Sequence, residues 1–308
     1  MLHAVARHAK LCLVAGLIVG AALPDLAGLL RPWLGLLIGA LLTITAFRIG
    51  PKMAFGSRSE LPALLAHVLS LQLVAPLMAL TVVLLLFTDI PPFLLAVILM
   101  LAAPSVTGAP NFAIMTGHDP APALRILVLG TALFPLTMLP VLWALPELGQ
   151  PGAAMLRLIA TILLAVGAGF LLRVLRPKIT QSDTENLDGL AALLLAVVVV
   201  GLMSAIGPLL RDDPMTLLMW LAGVMSVNLG LQLVSLFTMG RLLNMPEAVP
   251  VSIIWGNRNI ALFLIALPAE VTEPLLIFIG CYQIPMYLTP ILMKPIHNRF
   301  GRPNETAA

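Results

Sequence analysis

Charged residues are scarce in this sequence. Only 10% of its 308 residues are charged and 60% are hydrophobic, whereas soluble domains carry about 25% charged residues. The composition therefore predicts an integral membrane protein. The net charge of +3 comes from basic residues scattered singly along the chain, a distribution that predicts no nucleic-acid partner.

Cysteines are few, and catalytic motifs are lacking. Cys12 and Cys281 lie in separate apolar segments and indicate packing, not a disulfide framework or a metal cluster. The sequence has no HExxH and no GxSxG motif, and we place no pair of acids inside the membrane. We therefore expect no enzyme activity, no cofactor and no protein partner. A non-transporting sensor would normally carry a soluble output domain, and we expect none here.

Long apolar runs are abundant. They continue for about 20 residues without alternation of polar and apolar positions, which predicts membrane-spanning helices and excludes a barrel. The first run has the basic start of a signal peptide, and we expect it to remain uncleaved. We predict ten spans, at residues 11–30, 33–48, 61–88, 91–117, 120–144, 152–172, 187–209, 215–240, 246–267 and 273–293.

The distribution of basic residues predicts the orientation. With the N-terminus inside, 12 of the 17 Lys and Arg residues lie on the inner side, two (Arg31 and Arg211) on the outer side, and three (Arg125, Arg157 and Arg258) within or near spans. Basic residues in short loops remain cytoplasmic. We therefore predict a multi-pass protein of a bacterial-type inner membrane, with the lipid bilayer around it and both termini in the cytoplasm.

Two of the spans are interrupted at corresponding positions. The fourth contains APSVTGAPNF, residues 103–112, and the ninth contains IIWGNRNIALF, residues 253–263. Unwound backbone at membrane depth is tolerated where it lines a cavity, and paired interruptions are typical of secondary transporters. Proline kinks that serve packing are the alternative. Because each half has five spans, we predict one transporter unit of two inverted repeats, about 1–148 and 149–308.

The order of these motifs resembles the bile acid:sodium symporter family. The likeness rests on the PxxTGxPN break, GHDPAPAL at 117–124, GTALFPLTMLP from Gly130 and GNRNIAL in the ninth span. It implies an all-α fold in which the broken fourth and ninth helices cross. Helices 3, 4, 5, 8, 9 and 10 would form a core and helices 1, 2, 6 and 7 a panel. The resemblance also implies alternating-access transport of a substrate bound between core and panel. The prediction that this substrate is a small organic anion rests on Arg258, as described below.

The sodium ligands of that family are largely replaced. Its sodium-coupled members read Glu-x-Gly-x-Gln-Asn in the ninth span, where this sequence keeps Gly256 and Asn259 but has Ile254 and Arg258 at the acid and glutamine positions. A Ser-Asn pair of the fourth span becomes Pro110 and Asn111. The remaining counterparts are Gln72 in the third span and, in the fifth, Arg125 with Thr131 as the nearby hydroxyl.

Arg258 is the residue that most needs an explanation. A guanidinium offers five donors and no acceptor, so it cannot ligate sodium. At about 4 Å it would repel sodium by about 4 kcal/mol at an effective dielectric of about 20, roughly a thousandfold in affinity. We hypothesise that Arg258, with Arg125 as a second candidate, replaces the coupling ion. The alternatives are that Arg258 caps free carbonyls at the break, and that Arg125 snorkels to the inner surface.

None of the 14 acids is predicted at mid-membrane, so Arg258 must be satisfied by carbonyls, water or an anionic substrate. A sodium-coupled symporter with rearranged ligands remains the alternative function, with sodium near Thr107, Asn111, Asn257 and Asn259. In the eighth span, Asn228 and Gln232 share one helix face at i, i+4. The predicted binding residues are Gln72, Thr107, Asn111, Arg125, Thr131, Asn228, Gln232, Gly256, Asn257, Arg258 and Asn259.

Overall fold

The computed structural model describes residues 2–54, 60–243 and 245–300. In these ranges the regular structure is helical, apart from one isolated backbone bridge. The helices are α1 (Leu2–Arg7), α2 (Ala9–Ala22), α3 (Pro24–Leu30), α4 (Leu34–Ala54), α5 (Leu61–Leu69), α6 (Ala75–Leu86), α7 (Pro92–Ala102), α8 (Ala109–Met115), α9 (Ala121–Thr137), α10 (Leu139–Trp143), α11 (Pro151–Leu175), α12 (Gln181–Leu202), α13 (Ile206–Asp212), α14 (Pro214–Ser235), α15 (Ala248–Gly256), α16 (Phe263–Ala266), α17 (Ala269–Thr272), α18 (Leu276–Leu292) and α19 (Lys294–Phe300).

Seven helical stretches in the described ranges are long and apolar enough to cross a membrane. Each has at least 22 residues, which matches the thickness of a bilayer core. This confirms the predicted class of an all-helical membrane protein. The stretches are Pro24–Gly50, Leu61–Leu86, Ala121–Trp143, Pro151–Leu175, Gln181–Leu202, Pro214–Leu242 and Ala269–Leu292.

The other three predicted spans are made of shorter helices. The first is interrupted at Leu23, before Pro24, so its apolar helix Leu11–Ala22 is separate from α3. The fourth and ninth predicted spans are divided into α7 with α8, and α15 with α16. The number of ten spans therefore stays a prediction. Arg58 and Arg302, two of the basic residues assigned to the inner side, lie outside the described residues.

The described residues divide into two compact units. The first takes those of Met1–Phe55, Glu147–Met219 and Ala261–Gln283. In it α4 packs along α11, and α12 packs against α1 to α4. The contact between α4 and α11 is close because a Cβ on Gly169 would lie 2.5 Å from the carbonyl oxygen of Thr43. Small residues at such contacts are the usual means of packing helices in membranes.

The second unit takes the described residues of Gly56–Pro146, Trp220–Ile260 and Ile284–Ala308. Here α5 and α8 both pack against α9, α6 packs against α7, and α15 packs against α8 and α9. Two π-helical segments, Ser70–Val74 and Leu236–Leu242, interrupt the regular α geometry of this unit. Such segments occur frequently at functional sites. The two interruptions that the sequence indicated both meet in this unit.

Candidate functional site

Two breaks in helices form the centre of the second unit. Helix α7 ends at Ala102, and Ala103 is extended at φ −67° and ψ 153°, as expected for a residue that precedes proline. Helix α15 ends at Gly256, and Asn257 is also extended. Both predicted interruptions are therefore real departures from helix, and each exposes carbonyl groups without an intrahelical partner.

The two extended segments pair with each other. Ser105 and Arg258 form an antiparallel bridge, in which Val106 N donates to Asn257 O at 3.1 Å and Asn259 N donates to Pro104 O at 2.8 Å. These bonds satisfy backbone groups that the broken helices leave free. The pairing fixes the residues after Gly256 against the residues after Ala103.

The guanidinium of Arg258 lies beside the same break. Arg258 is 1% exposed, and its Nη1 donates to Ala103 O at 3.3 Å while its Nη2 donates to Leu71 O at 3.2 Å. Ala103 follows the last residue of α7, and Leu71 belongs to the π-helical segment Ser70–Val74. In this geometry Arg258 caps carbonyls at the break, as in the alternative given above for its role.

Helix dipoles favour a cation at this position. Both α7 and α15 end at the breaks, and the C-terminus of a helix carries a partial negative charge of about half an electron. Bonds from a charged donor to carbonyls contribute about 1.5–3 kcal/mol each. Carbonyls and helix ends thus offset part of the cost of burying Arg258.

Asn257 points away from Arg258. Successive side chains of extended backbone project to opposite faces, and Asn257 accordingly meets α14 and α18. Its Oδ1 accepts from Asn228 Nδ2 at 3.2 Å and from Thr289 Oγ1 at 3.2 Å, and its Nδ2 donates to Ile253 O at 2.8 Å. The break therefore carries a cationic contact on one side and a neutral polar cluster on the other.

We define the amide cluster as Asn228, Gln232, Asn257 and Thr289, each 0% exposed. Gln232 Nε2 donates to Asn228 Oδ1 at 2.9 Å and to Thr289 Oγ1 at 3.1 Å, and Asn228 Nδ2 donates to Gly256 O. The Oε1 of Gln232 has no hydrogen bond partner among the described residues. The donors of the cluster therefore bond oxygens of the cluster or nearby backbone carbonyls, and one oxygen acceptor is spare.

Gly256 makes this arrangement possible. A Cβ at this position would lie 2.4 Å from the carbonyl oxygen of Asn228 and 2.5 Å from Cγ of Gln232. Real Cβ atoms do not approach so closely to backbone, so the close contact between α15 and α14 requires glycine. The predicted binding residue Gly256 thus acts through packing.

Gln72 and Thr131 also lie buried in the second unit. Gln72 Oε1 accepts from Thr137 Oγ1 at 3.1 Å, and a Cβ on Gly130 would lie 2.4 Å from the amide nitrogen of Gln72. Gln72 is in the π-helical segment whose Leu71 carbonyl accepts from Arg258. The third, fifth and ninth predicted spans are therefore connected around the break.

The side chains of four other predicted binding residues are less buried than Arg258 and the amide cluster. Asn111 is exposed, and Thr107 and Asn259 are half-buried. Arg125 forms a salt bridge of 2.8 Å with Glu60, and both side chains are about a third exposed or more. Arg125 therefore lies at the surface of the second unit.

Three participants did not stand out in the sequence. Thr289 completes the amide cluster, and the carbonyls of Ala103 and Leu71 receive Arg258. Thr289 stands directly before Pro290 and four residues after Pro285, so paired prolines in an apolar helix were the available signal. Backbone carbonyls carry no such signal because every residue has one.

A pair of histidines lies elsewhere in the second unit. His118 follows α8 and His297 belongs to α19, with ring centroids 6.4 Å apart and planes at 84°. His297 is 0% exposed, and neither of its ring nitrogens has a hydrogen bond partner among the described residues. Burial lowers the pKa of both imidazoles. No sequence motif indicated His297.

Together, fold and site define an all-helical membrane protein with a buried arginine at a paired helix break. No family model and no curated protein matches the sequence.

Proposed function

We propose that the protein is a secondary transporter that moves a small organic anion across the inner membrane by alternating access, with Arg258 in the place of a coupling sodium ion. The observation that carries the proposal is the contact of the buried Arg258 guanidinium with carbonyls of two other segments at a helix break. The sequence supports an anion as the transported molecule, because none of its 14 acids is predicted at mid-membrane beside Arg258.

The position of the charge supports a transporter. In transporters with broken helices, unwound carbonyls and the C-terminal ends of half-helices coordinate the coupling cation. Arg258 donates to this type of group at Ala103, next to the end of α7. A guanidinium stays protonated at any physiological pH. A protein built in this way would need no sodium to hold the two breaks together.

Matching contacts support the proposed inverted repeats of ten spans. In the first half, Gln72 of the third predicted span bonds Thr137, which follows in the fifth, at 3.1 Å. In the second half, Gln232 of the eighth predicted span bonds Thr289 of the tenth, also at 3.1 Å. The same pair of residue types thus connects corresponding spans. The core and panel groups, and cytoplasmic termini, belong to the same proposal.

A sodium-coupled symporter is the second candidate function. The amide cluster favours it, because neutral amide and hydroxyl oxygens are hard ligands suited to small cations. Its Gln232 Oε1 is buried and has no hydrogen bond partner among the described residues. In this alternative, sodium would bind on the side of the break that faces α14 and α18.

Thermal unfolding of the purified protein in sodium, potassium and choline chloride at equal ionic strength separates the two candidates. A ligand that binds the folded state raises its stability by mass action. The proposal expects equal unfolding temperatures in the three salts. A selective increase in sodium would overturn it in favour of the symporter, and loss of that increase in Gln232→Leu would assign the ion to the amide cluster.

Arg258→Gln provides the second arm. We expect this variant to unfold at a lower temperature and to regain stability selectively in sodium, because the carbonyls lose their cation. Arg258→Lys, which retains a positive charge as a single ammonium in place of the planar guanidinium, is the matched control and should show no selective effect. An Arg258→Gln variant that remains indifferent to sodium would contradict the replacement of an ion by arginine.

A further inference from the structure

Two cavities in the first unit share part of their lining. One has a volume of about 580 Å³ and contains charged residues at its edge, and the other has about 970 Å³ and is mainly apolar. Gly28, Arg31 and Leu276 line both. We call the first the polar chamber and the second the apolar groove. The shared residues make them two ends of one amphipathic space.

The polar chamber carries charges of both signs. Its lining includes two arginines, Arg31 and Arg211, and three acids, Asp25, Asp212 and Glu273. Arg31 Nη1 lies 3.1 Å from Glu273 Oε1, and Arg211 Nη2 donates to Ala22 O at 3.3 Å. Two acids thus remain for a cationic group of a ligand, while the two arginines retain donors for an anionic group. This balance matches a zwitterion better than a simple anion.

A hydroxyl in the chamber supports a polar ligand. Ser204 lines the chamber, and its Oγ is buried without a hydrogen bond partner among the described residues. A buried polar atom of this kind costs free energy unless a ligand or water satisfies it.

Glycines keep the apolar groove open. Gly28, Gly35 and Gly39 line it. A Cβ added at Gly28 would meet nothing within 4 Å. At Gly35 it would meet only Ile265, at 3.7 Å, and at Gly39 only Thr161, at 3.8 Å. These glycines therefore serve no close helix contact, unlike Gly169. In helix interiors glycine costs about 1 kcal/mol relative to alanine, and here the gain is volume along the helix surface.

The chamber lies at one end of three candidate membrane spans. Asp25 is in the first turn of Pro24–Gly50, Glu273 directly follows the first turn of Ala269–Leu292, and Ser204 follows the end of Gln181–Leu202. Ends of spans lie at the level of the lipid headgroups, and the groove continues toward the hydrocarbon core. The space is therefore oriented like a phospholipid in the bilayer, with its polar end at the headgroups and its apolar end toward the hydrocarbon core.

We propose that this space binds a zwitterionic phospholipid with a primary ammonium, a phosphatidylethanolamine. Its phosphate contacts Arg31 and Arg211, its ammonium contacts Asp25 and Asp212, and one acyl chain occupies the glycine-lined groove. The site contains neither Arg258 nor a residue of the amide cluster, and the lipid proposal does not depend on the transport mechanism proposed above. It would anchor the first unit in the bilayer.

Native mass spectrometry tests the site with palmitoyl-oleoyl phosphatidylethanolamine, phosphatidylcholine and phosphatidylglycerol, each added to delipidated protein in detergent. We expect retention of the ethanolamine lipid to exceed that of the other two by roughly tenfold, the factor for loss of one charge-assisted hydrogen bond. Phosphatidylcholine has no ammonium hydrogen to donate, and phosphatidylglycerol has no ammonium. Equal retention of the three lipids would overturn the proposal.

Two variants locate the lipid. Gly28→Leu fills the junction of chamber and groove and should reduce retention of the ethanolamine lipid roughly tenfold. Gly167→Leu is the control, because Gly167 is an exposed helical glycine with equally open space outside both cavities. This variant should leave lipid retention unchanged. Arg211→Gln, an exposed substitution at the headgroup end, should reduce retention without disturbing the fold. Unchanged retention in both Gly28→Leu and Arg211→Gln would place the lipid elsewhere and overturn the site.

Discussion

Acidification should weaken the second unit through His297. Burial, with a smaller contribution from His118, lowers the pKa of His297 from 6.5 to about 4. The imidazole is therefore neutral in the folded protein at neutral pH and gains a proton more readily once it reaches water. A histidine with a lowered pKa contributes stability that is complete above its unfolded value and is lost as the pH falls below 6.5.

The size of the effect follows from these two values. Between pH 7 and pH 5, a shift of the pKa from 6.5 to about 4 removes about 2 kcal/mol from the free energy of opening, by proton linkage. His118 acts in the same direction because burial also lowers its pKa. This free energy applies to any local separation of α19 that exposes the imidazole of His297 to water. The membrane helices need not unfold completely for the pH dependence to be observed.

Unfolding in detergent, followed by tryptophan fluorescence at pH 7, 6 and 5, measures this slope. His297→Phe should remove most of it and should be at least as stable at pH 7, since the ring nitrogens of His297 have no partner among the described residues. His67→Gln is the control, because His67 bonds Ala63 O on an exposed helix face and should keep the slope of the unmodified protein. An equal slope in His297→Phe would refute the reasoning.

Two further predictions concern the site. Gly256→Ala should destabilise the protein by about 3 kcal/mol through overpacking against Asn228 and Gln232. Gly230→Ala in α14, where a Cβ meets nothing within 4 Å, should stabilise it by up to about 1 kcal/mol. Thermal unfolding compares the two variants, and equal effects would contradict a close contact between α15 and α14 that requires glycine. Arg125→Gln should change stability by less than about 1 kcal/mol, since its bond to Glu60 is partly exposed. A loss comparable to that of Arg258→Gln would give Arg125 the structural role that its exposure argues against.

Apolar run length made the helical fold predictable. The third predicted span, 61–88, and the sixth, 152–172, correspond closely to Leu61–Leu86 and Pro151–Leu175. The interruption at Leu23 was not anticipated, because the run through Pro24 is apolar throughout and hydropathy is insensitive to helix geometry. Proline at a first helical position begins a new helix as readily as it bends an old one, and only packing decides between the two outcomes.

The site was predictable in its composition but not in its geometry. Glycine, proline and asparagine within apolar runs indicated both breaks, and the shared helix face of Asn228 and Gln232 indicated a polar lining. The opposite roles of Asn257 and Arg258 could not be predicted, because the direction of each side chain depends on the extended backbone between them. Asn111 follows the same type of motif, yet it is exposed, since α8 turns that side of the helix outward.

The opposite directions of Asn257 and Arg258 limit how this segment can change in length. Inserting or deleting one residue between Gly256 and Ile260 would exchange the faces, because the period of extended backbone is two. Arginine would then point into the amide cluster, whose nearest groups include the amide nitrogens of Asn228 and Gln232, and an amide would face the carbonyls of Ala103 and Leu71. Natural variants of this protein should therefore conserve the spacing of this loop more strictly than the individual amides, and insertions should accumulate in connectors instead.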